Sequence, residues 1–339
     1  MKAVTISGAF GLDNLRLEER PEPRPRPGQV LLRMRAASLN FRDLRMIEGV
    51  YNPRQSLPLV PASDGVGEVV ALGEGVSRVK IGERVSPIFA QRWIAGAPTV
   101  AELRSTLGGP LDGTLVELVA VDAEGLVHVP EYLSDVEAAT LPCAALTAWN
   151  ALVTLGKVRP GDSVVTQGTG GVSIFGIQLA RLLGARVIAT TGSDDKLERL
   201  RELGASDVIN YKKDPDWGKT ARALTDGRGA DLVLDVGGGT TLAQSIRAVR
   251  PAGHISVIGV LAGVAADLNV LPILMQGLRL QGVFVGHRHS FEAMNRALAQ
   301  HRLKPVVDRV FALEETRVAI EHLKSGQHFG KVCIQISRA

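Results

Sequence analysis

The chain has little of what several protein classes require. Its two cysteines, Cys143 and Cys333, cannot build a disulfide framework and suit a reducing compartment. Only 4% of its residues are aromatic, and no basic tract is interleaved with them. Lys+Arg 39 against Asp+Glu 35 leaves a net +4, too small and too scattered an excess to argue for nucleic acid. The longest apolar run, 255–266 (ISVIGVLAGVAA), ends at Asp267 and is shorter than the roughly 20 residues a membrane helix needs. The seven histidines carry no metal-ligand spacing. Met1-Lys2-Ala3-Val4 starts a strand-like run with no charged segment, apolar block and cleavage site, so no secretory leader is expected. Secreted, membrane and disulfide-stapled classes drop out, and a cytoplasmic location is the expectation.

What is present is ordinary for a globular protein: 339 residues, 45% hydrophobic and 22% charged, enough for two domains. Residues 1–125 read as β-rich. Strand candidates at 30–35 and 65–73 are punctuated by prolines and glycines that suit the corners of a small barrel-like domain. Residues 40–47 have helical potential, and 89–113 form a loop-like insertion with a short helix capped by Thr99. From 126 the pattern changes to strand, glycine loop, helix, strand, with strands at 164–166, 186–190, 207–210, 231–235, 254–259 and 280–285. Such alternation predicts an α/β domain, a doubly wound (Rossmann) parallel sheet covered by helices, over 126–288. The segment 289–339, with a helix at 291–299 and a strand at 332–336, is expected to return to the first domain.

Between the first of these strands and its helix stands Gln167-Gly168-Thr169-Gly170-Gly171-Val172-Ser173. A strand feeding a helix through glycines brings backbone N–H groups to a pyrophosphate, and the helix N-terminus adds partial positive charge. Gly168 makes the turn and Gly170 permits close approach; Ser173 departs from the Gly or Ala usual at the third fingerprint position. The next strand ends at Thr190-Thr191-Gly192-Ser193 without the acid that binds an NAD ribose. Ser193, Lys196 and Tyr211 can converge there on a 2′-phosphate, which favours NADPH and leaves NADH open, although Asp194 and Asp195 lie close. The bland reading makes Lys196 an exposed helix lysine and Tyr211 a packing residue. Gly237 and the Gly259-Val260 step lie at strand ends where a cofactor passes.

Further segments fall in order along the chain: Ser38-Leu39-Asn40-Phe41-Arg42-Asp43, Pro61-Ala62-Ser63-Asp64-Gly65-Val66-Gly67, Val79-Lys80-Ile81-Gly82-Glu83-Arg84-Val85, Ala138-Ala139-Thr140-Leu141-Pro142 and Gly330-Lys331-Val332. Together with the glycine loop they resemble the medium-chain dehydrogenase/reductase superfamily over nearly the whole length, most closely its zinc-independent quinone oxidoreductase-like and enoyl reductase-like branches. The resemblance implies that the first domain is GroES-like and catalytic. It also sets this chain against the zinc alcohol dehydrogenases. Asn40 stands at their first ligand position and Ser63-Asp64 at their His-Glu pair, while Cys143 alone falls where a third ligand belongs. One thiol with an amide and a hydroxyl is a poor zinc set. The 89–113 insertion has none of the four cysteines of a structural zinc lobe. No zinc is expected.

Without that Lewis acid, reduction of a quinone or an α,β-unsaturated carbonyl is the less demanding chemistry, since hydrogen-bond donors can hold the charge on the carbonyl oxygen. The resemblance offers Tyr51 as proton donor or substrate anchor and Asn40 as a residue beside the nicotinamide and carbonyl. Each has a plainer role, Tyr51 as a packing residue and Asn40 as a helix cap. Arg42 and Arg45 are candidates for a substrate's anionic part. Thr147 resembles a nicotinamide-contacting threonine, and Phe284-Val285 the segment that holds the carboxamide. Lys331 either reaches the pyrophosphate or is a solvated strand lysine. Trp93 is a candidate for the substrate wall. Two other readings stand beside this one: a zinc-free alcohol dehydrogenase or carbonyl reductase, and a non-catalytic NADPH-binding redox sensor or RNA-binding crystallin-like protein. The resemblance further implies a homodimer joined through the edge strand at 280–285.

Overall fold

The computed structural model describes residues 1–264 and 268–337, so Ala265, Ala266 and Asp267 at the end of the apolar run lie outside the described residues. In the first part of the chain β1 (Lys2–Ile6) and β2 (Leu15–Glu19) form an antiparallel pair. β3 (Gln29–Ser38) alternates buried and accessible residues along its first half, the period-two pattern of a strand with one face on a core. It lies between β4 (Asp64–Leu72) and β6 (Leu118–Asp122) along part of its length. β5 (Arg84–Pro87) follows β4, and β7 (Leu126–His128) follows β5.

The next strands are of a different kind. β8 (Ser163–Gln167) and β11 (Ala230–Asp235) are buried at every residue, as expected of strands covered on both faces. With β9 (Arg186–Thr191), β10 (Asp207–Asn210), β12 (Val249–Val257) and β13 (Arg279–Gly282) they form a six-stranded sheet in the order β10-β9-β8-β11-β12-β13. Every pairing in it is parallel. The order reverses beside β8, the switch point where open α/β sheets take their ligands. The chain then returns: β14 (Val307–Ala312) pairs with β15 (Lys331–Gln335), and β15 adds to β3.

Two units result, Met1–Leu146 with Gly286–Ala339, and Thr147–Val285. The expected boundary near 125 is displaced because β7 pairs with β5 and keeps the stretch after it with the first sheet. The chain leaves the first unit along a helical run, Asp135–Leu155, which includes π-helical turns at Leu141–Ala145 and Asn150–Leu155. That run is long and apolar enough to cross a membrane by length and composition alone, but 78% of its most apolar window is buried in the protein, as in a core helix. The predicted short helix after Thr99 spans Val100–Leu103, with the Thr99 hydroxyl accepting the Glu102 N–H. The tail helix is longer than expected, Arg288–His301, because the His287 ring caps it by accepting the Ser290 N–H.

One close approach shapes the neighbourhood of β4. The Gly113 N–H donates to Val60 O at 2.7 Å and the Thr114 N–H to Ala62 O at 3.0 Å, while Ala62 adopts a left-handed φ of 67°. A Cβ at Gly113 would stand 2.0 Å from Ala62 O and 2.4 Å from Pro61 O. Both are rigid backbone atoms. Gly113→Ala should therefore lower stability by roughly 1–3 kcal/mol or more, read as a fall in the urea midpoint with an unchanged m-value.

Candidate active site

Strand register brings together side chains that the sequence keeps far apart. Cys333 pairs with Ser38 on one side of β3, and Asp64 pairs with Ser38 on the other. Continuing the first register two residues sets Lys331 opposite Asn40, just past the end of β3. Lys331 is only 3% exposed. Its ammonium donates to Asn40 Oδ1 at 2.5 Å and to Leu39 O at 2.7 Å, and stands 4.0 Å from Asp64 Oδ2. Asp64 Oδ1 accepts the Ser63 hydroxyl at 2.7 Å, and Oδ2 accepts the Cys143 N–H at 3.0 Å. Asn40 Nδ2 lies 3.5 Å from Ser63 Oγ. The Lys331 ammonium is thus turned inward onto Asn40, so the solvated-lysine alternative is corrected: the strand position faces the interior and burial forces the charge onto fixed acceptors.

Asn40 occupies the N-cap of α1 (Phe41–Ile47), yet its side chain makes no capping hydrogen bond. Capping runs the other way: Asp43 Oδ2 accepts the Asn40 backbone N–H at 2.8 Å. That frees the Asn40 amide for the cluster. Arg42, a candidate for binding an anion, has a different job. Its guanidinium donates to Leu107 O, Gly108 O and Gly109 O at 3.0, 3.0 and 3.2 Å and to Asp43 Oδ1 at 3.2 Å. It also lies over the rings of Tyr51 and Phe89, 4.9 and 5.2 Å from their centres. Two guanidinium nitrogens turned on three consecutive carbonyls make Arg42 an anchor for the 107–109 turn. Arg45 pairs with Glu48. Tyr51 is 47% exposed. Trp93 is buried, donates its indole N–H to Gly96 O at 2.9 Å and packs edge-on against the His287 ring, which is core packing.

The electrostatics follow from burial. Burial pushes the Asp64 carboxyl up to about 6, against the Lys331 ammonium and the hydrogen bonds from Asn40 and Ser63. Burial likewise raises Asp43, opposed first by Arg42. The Cys143 thiol is pushed far up by burial, with the Asp64 charge adding to it, so it resists becoming the thiolate that ligates a metal. A neutral thiol, an amide, a hydroxyl and a carboxylate beside a fixed ammonium do not fit a catalytic zinc, whose ligands must be deprotonated and free of a competing cation. No group of three His, Cys, Asp or Glu able to hold a metal occurs among the described residues.

The second unit offers the dinucleotide cradle. The helix Gly171–Leu182 starts after Gly170 without any side-chain cap, so its first backbone N–H groups remain available to an anion. Gly168 has φ 76° with open space where a Cβ would be. Ser173, the departure from the fingerprint, is accommodated because its hydroxyl donates to Gln167 O at 2.5 Å. Beyond β11, the Gly237 and Gly238 N–H groups donate to Asp235 Oδ1 at 3.0 and 2.8 Å, and Asp235 Oδ2 accepts Ser245 Oγ at 2.6 Å. The loop after β12 is stitched to this one: a Cβ at Gly259 would meet Val236 O at 2.5 Å, and Val260 beside it is exposed. Val285 takes a positive φ of 43° and its carbonyl accepts the Asn150 amide at 2.8 Å. Thr147 is buried. These residues fit a nicotinamide dinucleotide.

At the tip of β9, Ser193 and Tyr211 lie beside Thr191, and Lys196 reaches the glycine loop. The Lys196 ammonium donates to Thr169 Oγ1 at 3.2 Å. The Ser193 N–H donates to Thr191 Oγ1 and the Tyr211 N–H to Thr191 O, and the Tyr211 hydroxyl lies 2.6 Å from where a Cβ on Gly192 would be. Asp194, which weakened the 2′-phosphate reading, is held by Lys213 at 2.6 Å and by the Asn210 amide at 2.7 Å. Sequence reasoning missed Asp64 and Asp235 as centres of their clusters. Asp64 did stand in the quoted Pro61–Gly67 segment, but no spacing shows that its partner is a lysine near the other end of the chain.

Two family models match the chain. Residues 26–131 match the family described as alcohol dehydrogenase GroES-like domain, and 171–300 the family described as zinc-binding dehydrogenase. A zinc-type alcohol dehydrogenase-like protein of Schizosaccharomyces pombe is 41% identical, over 99% of each chain. A candidate alcohol dehydrogenase from Sinorhizobium meliloti 1021 is 43% identical with a TM-score of 0.92, covering 99% of this chain and 98% of that one. A solved structure described as an NAD-dependent alcohol dehydrogenase is 35% identical with a TM-score of 0.91, covering 99% of this chain and all of the other.

Asp64 has a measurable signature. Its folded value, about 6, lies above the ordinary 3.8, so the folded chain holds this proton more tightly than the unfolded one. The contribution to stability is fully present below about pH 4 and is lost as pH rises through about 6, on the order of 2–3 kcal/mol in all. Urea midpoints measured from pH 4 to 7 should decline accordingly in the parent chain and more shallowly in Asp64→Asn.

Proposed function

Since the chain belongs to the medium-chain dehydrogenase/reductase superfamily and is an alcohol dehydrogenase-like oxidoreductase, we propose that it reduces quinones or α,β-unsaturated carbonyls with NADPH and without zinc. The observation that carries this reading is the Lys331 ammonium, fixed among Asn40, Ser63 and Asp64 at the positions where zinc enzymes of the superfamily keep their ligands.

When bound at the glycine loop between β8 and its helix, NADPH would supply a hydride to the β-carbon of an enone or to a quinone ring. The charge that arrives on the substrate carbonyl oxygen needs a donor, and we assign that role to the Asn40 Nδ2, which stands 3.5 Å from Ser63 Oγ and also hydrogen-bonds the Asp64 carboxylate. Tyr51 is exposed, with the Arg42 guanidinium 4.9 Å from its ring centre; its phenol or a water supplies the proton, to the α-carbon of an enone or to the oxygen of a quinone. Hydride and proton together complete a two-electron reduction. Preference for NADPH is supported by Ser193, Lys196 and Tyr211 around the β9 tip and by the pairing of Asp194 with Lys213. The names of the relatives favour a second reading, oxidation of simple alcohols, and one of them is described as NAD-dependent.

A panel of quinones, enones and alcohols assayed with NADPH, NADH and their oxidised forms decides between the two. Turnover of enones or quinones with NADPH, by protein free of stoichiometric zinc in elemental analysis, is expected; alcohol oxidation that tracks bound zinc would reverse the assignment. Lys196→Ala should lower the preference for NADPH over NADH by about 10- to 100-fold, the worth of a charge-assisted hydrogen bond. Tyr51→Phe should reduce kcat for enones while leaving NADPH affinity in place.

For assembly we propose a homodimer. β13 ends the six-stranded sheet with most of its residues exposed, and the helix Leu271–Gln276 leaves Leu274 and Met275 exposed as well. Such an edge invites pairing with a second copy. Light scattering should give twice the chain mass.

A further inference from the structure

Asn40 can serve a carbonyl oxygen only if its nitrogen, rather than its oxygen, faces that oxygen. A side-chain amide exchanges the two by a half-turn about χ2 with almost no change of shape. One edge of this amide is committed. Its Oδ1 accepts the Lys331 ammonium at 2.5 Å, and an ammonium has donors only, so it cannot pair with Nδ2. The other edge faces Ser63 and Asp64: Nδ2 stands 3.5 Å from Ser63 Oγ, whose own proton goes to Asp64 Oδ1 at 2.7 Å, and the amide also hydrogen-bonds the Asp64 carboxylate. A charged acceptor competes well for a donor at the limit of hydrogen-bond distance from a hydroxyl. Lys331 itself has little freedom, because Leu39 O accepts from it at 2.7 Å and the side chain is buried.

We propose that Lys331 is a positioning residue: by clamping Asn40 Oδ1 it selects the amide orientation that offers Nδ2 to the developing oxyanion. The proposal rests on the reading of Asn40 as that donor. A merely structural lysine would balance the charge of Asp64 and nothing more.

Lys331→Met alone leaves the Asp64 carboxylate buried 4.0 Å from a vanished cation and can fail to fold. The informative variant is Lys331→Met/Asp64→Asn, which removes both charges. If the clamp operates, the double variant folds and binds NADPH as the parent chain does, yet its kcat for enone reduction falls by roughly 10- to 100-fold with KM little changed. Parent-like kcat in the folded double variant would overturn the proposal and leave Lys331 a charge-balancing residue. A second readout needs no turnover. In protein labelled with [15N]asparagine, the Asn40 Nδ2 proton pair, assigned by its loss in Asn40→Asp, should shift and broaden in the double variant relative to Asp64→Asn alone, as the amide becomes free to turn. An unmoved pair would sink the clamp even if enones are reduced. A moved pair in a protein that reduces no enone or quinone supports the clamp and removes the proposed reaction instead.

Discussion

Two carboxylates, Asp43 and Asp64, are fully buried in the first unit, and much of the local structure around them answers that fact. An ion taken out of water costs several kcal/mol unless a counter-charge and hydrogen bonds replace its hydration. Arg42 and Lys331 supply the charge. Backbone supplies the rest: the Asn40 N–H for Asp43, the Cys143 N–H for Asp64, Leu39 O for Lys331, and three consecutive carbonyls at 107–109 for Arg42. Segments from five regions of the chain are tied to one neutral cluster, and moving any of them would strand a charge.

The second unit solves the opposite problem. Its first βα turn keeps backbone donors unsatisfied, as an anion site requires, while neighbouring turns are braced by buried side chains. Gln167 and Asp235 both contact Ser245, and Asp235 holds the two amides that follow β11. The glycine turns are therefore stiff where they pack and open where a pyrophosphate is needed. A rigid array of N–H groups loses little on binding because little has to be ordered.

Much of this was legible in residue order. The alternation of buried strands with glycine turns and amphipathic helices announced a parallel sheet, and the glycine loop located its switch point. Ser193, Lys196 and Tyr211 were proposed together at the β9 tip, and the pairing of β9 with β10 sets the turn after β10 beside that tip. Ser173 looked like a blemish and is a bonded partner of Gln167. Arg42 and Lys331 were harder. An arginine on a short helix and a lysine on a closing strand carry no local mark of burial, and each was read either as a group reaching for a ligand or as an ordinary solvated side chain.

Periodicity, glycine placement and helix caps act over a few residues, so the sheet, its order of elements and the dinucleotide loop could be inferred from neighbours along the chain. The charge cluster could not. Lys331 and Asn40 are 291 positions apart, Cys143 and Asp64 are 79, and Arg42 and Leu107 are 65. Their meeting depends on the register of β15 against β3 and on the path of loops whose closure is decided by packing. Burial then converts ordinary polar residues into obligatory partners, a conversion that exists only once the tertiary structure has removed the water.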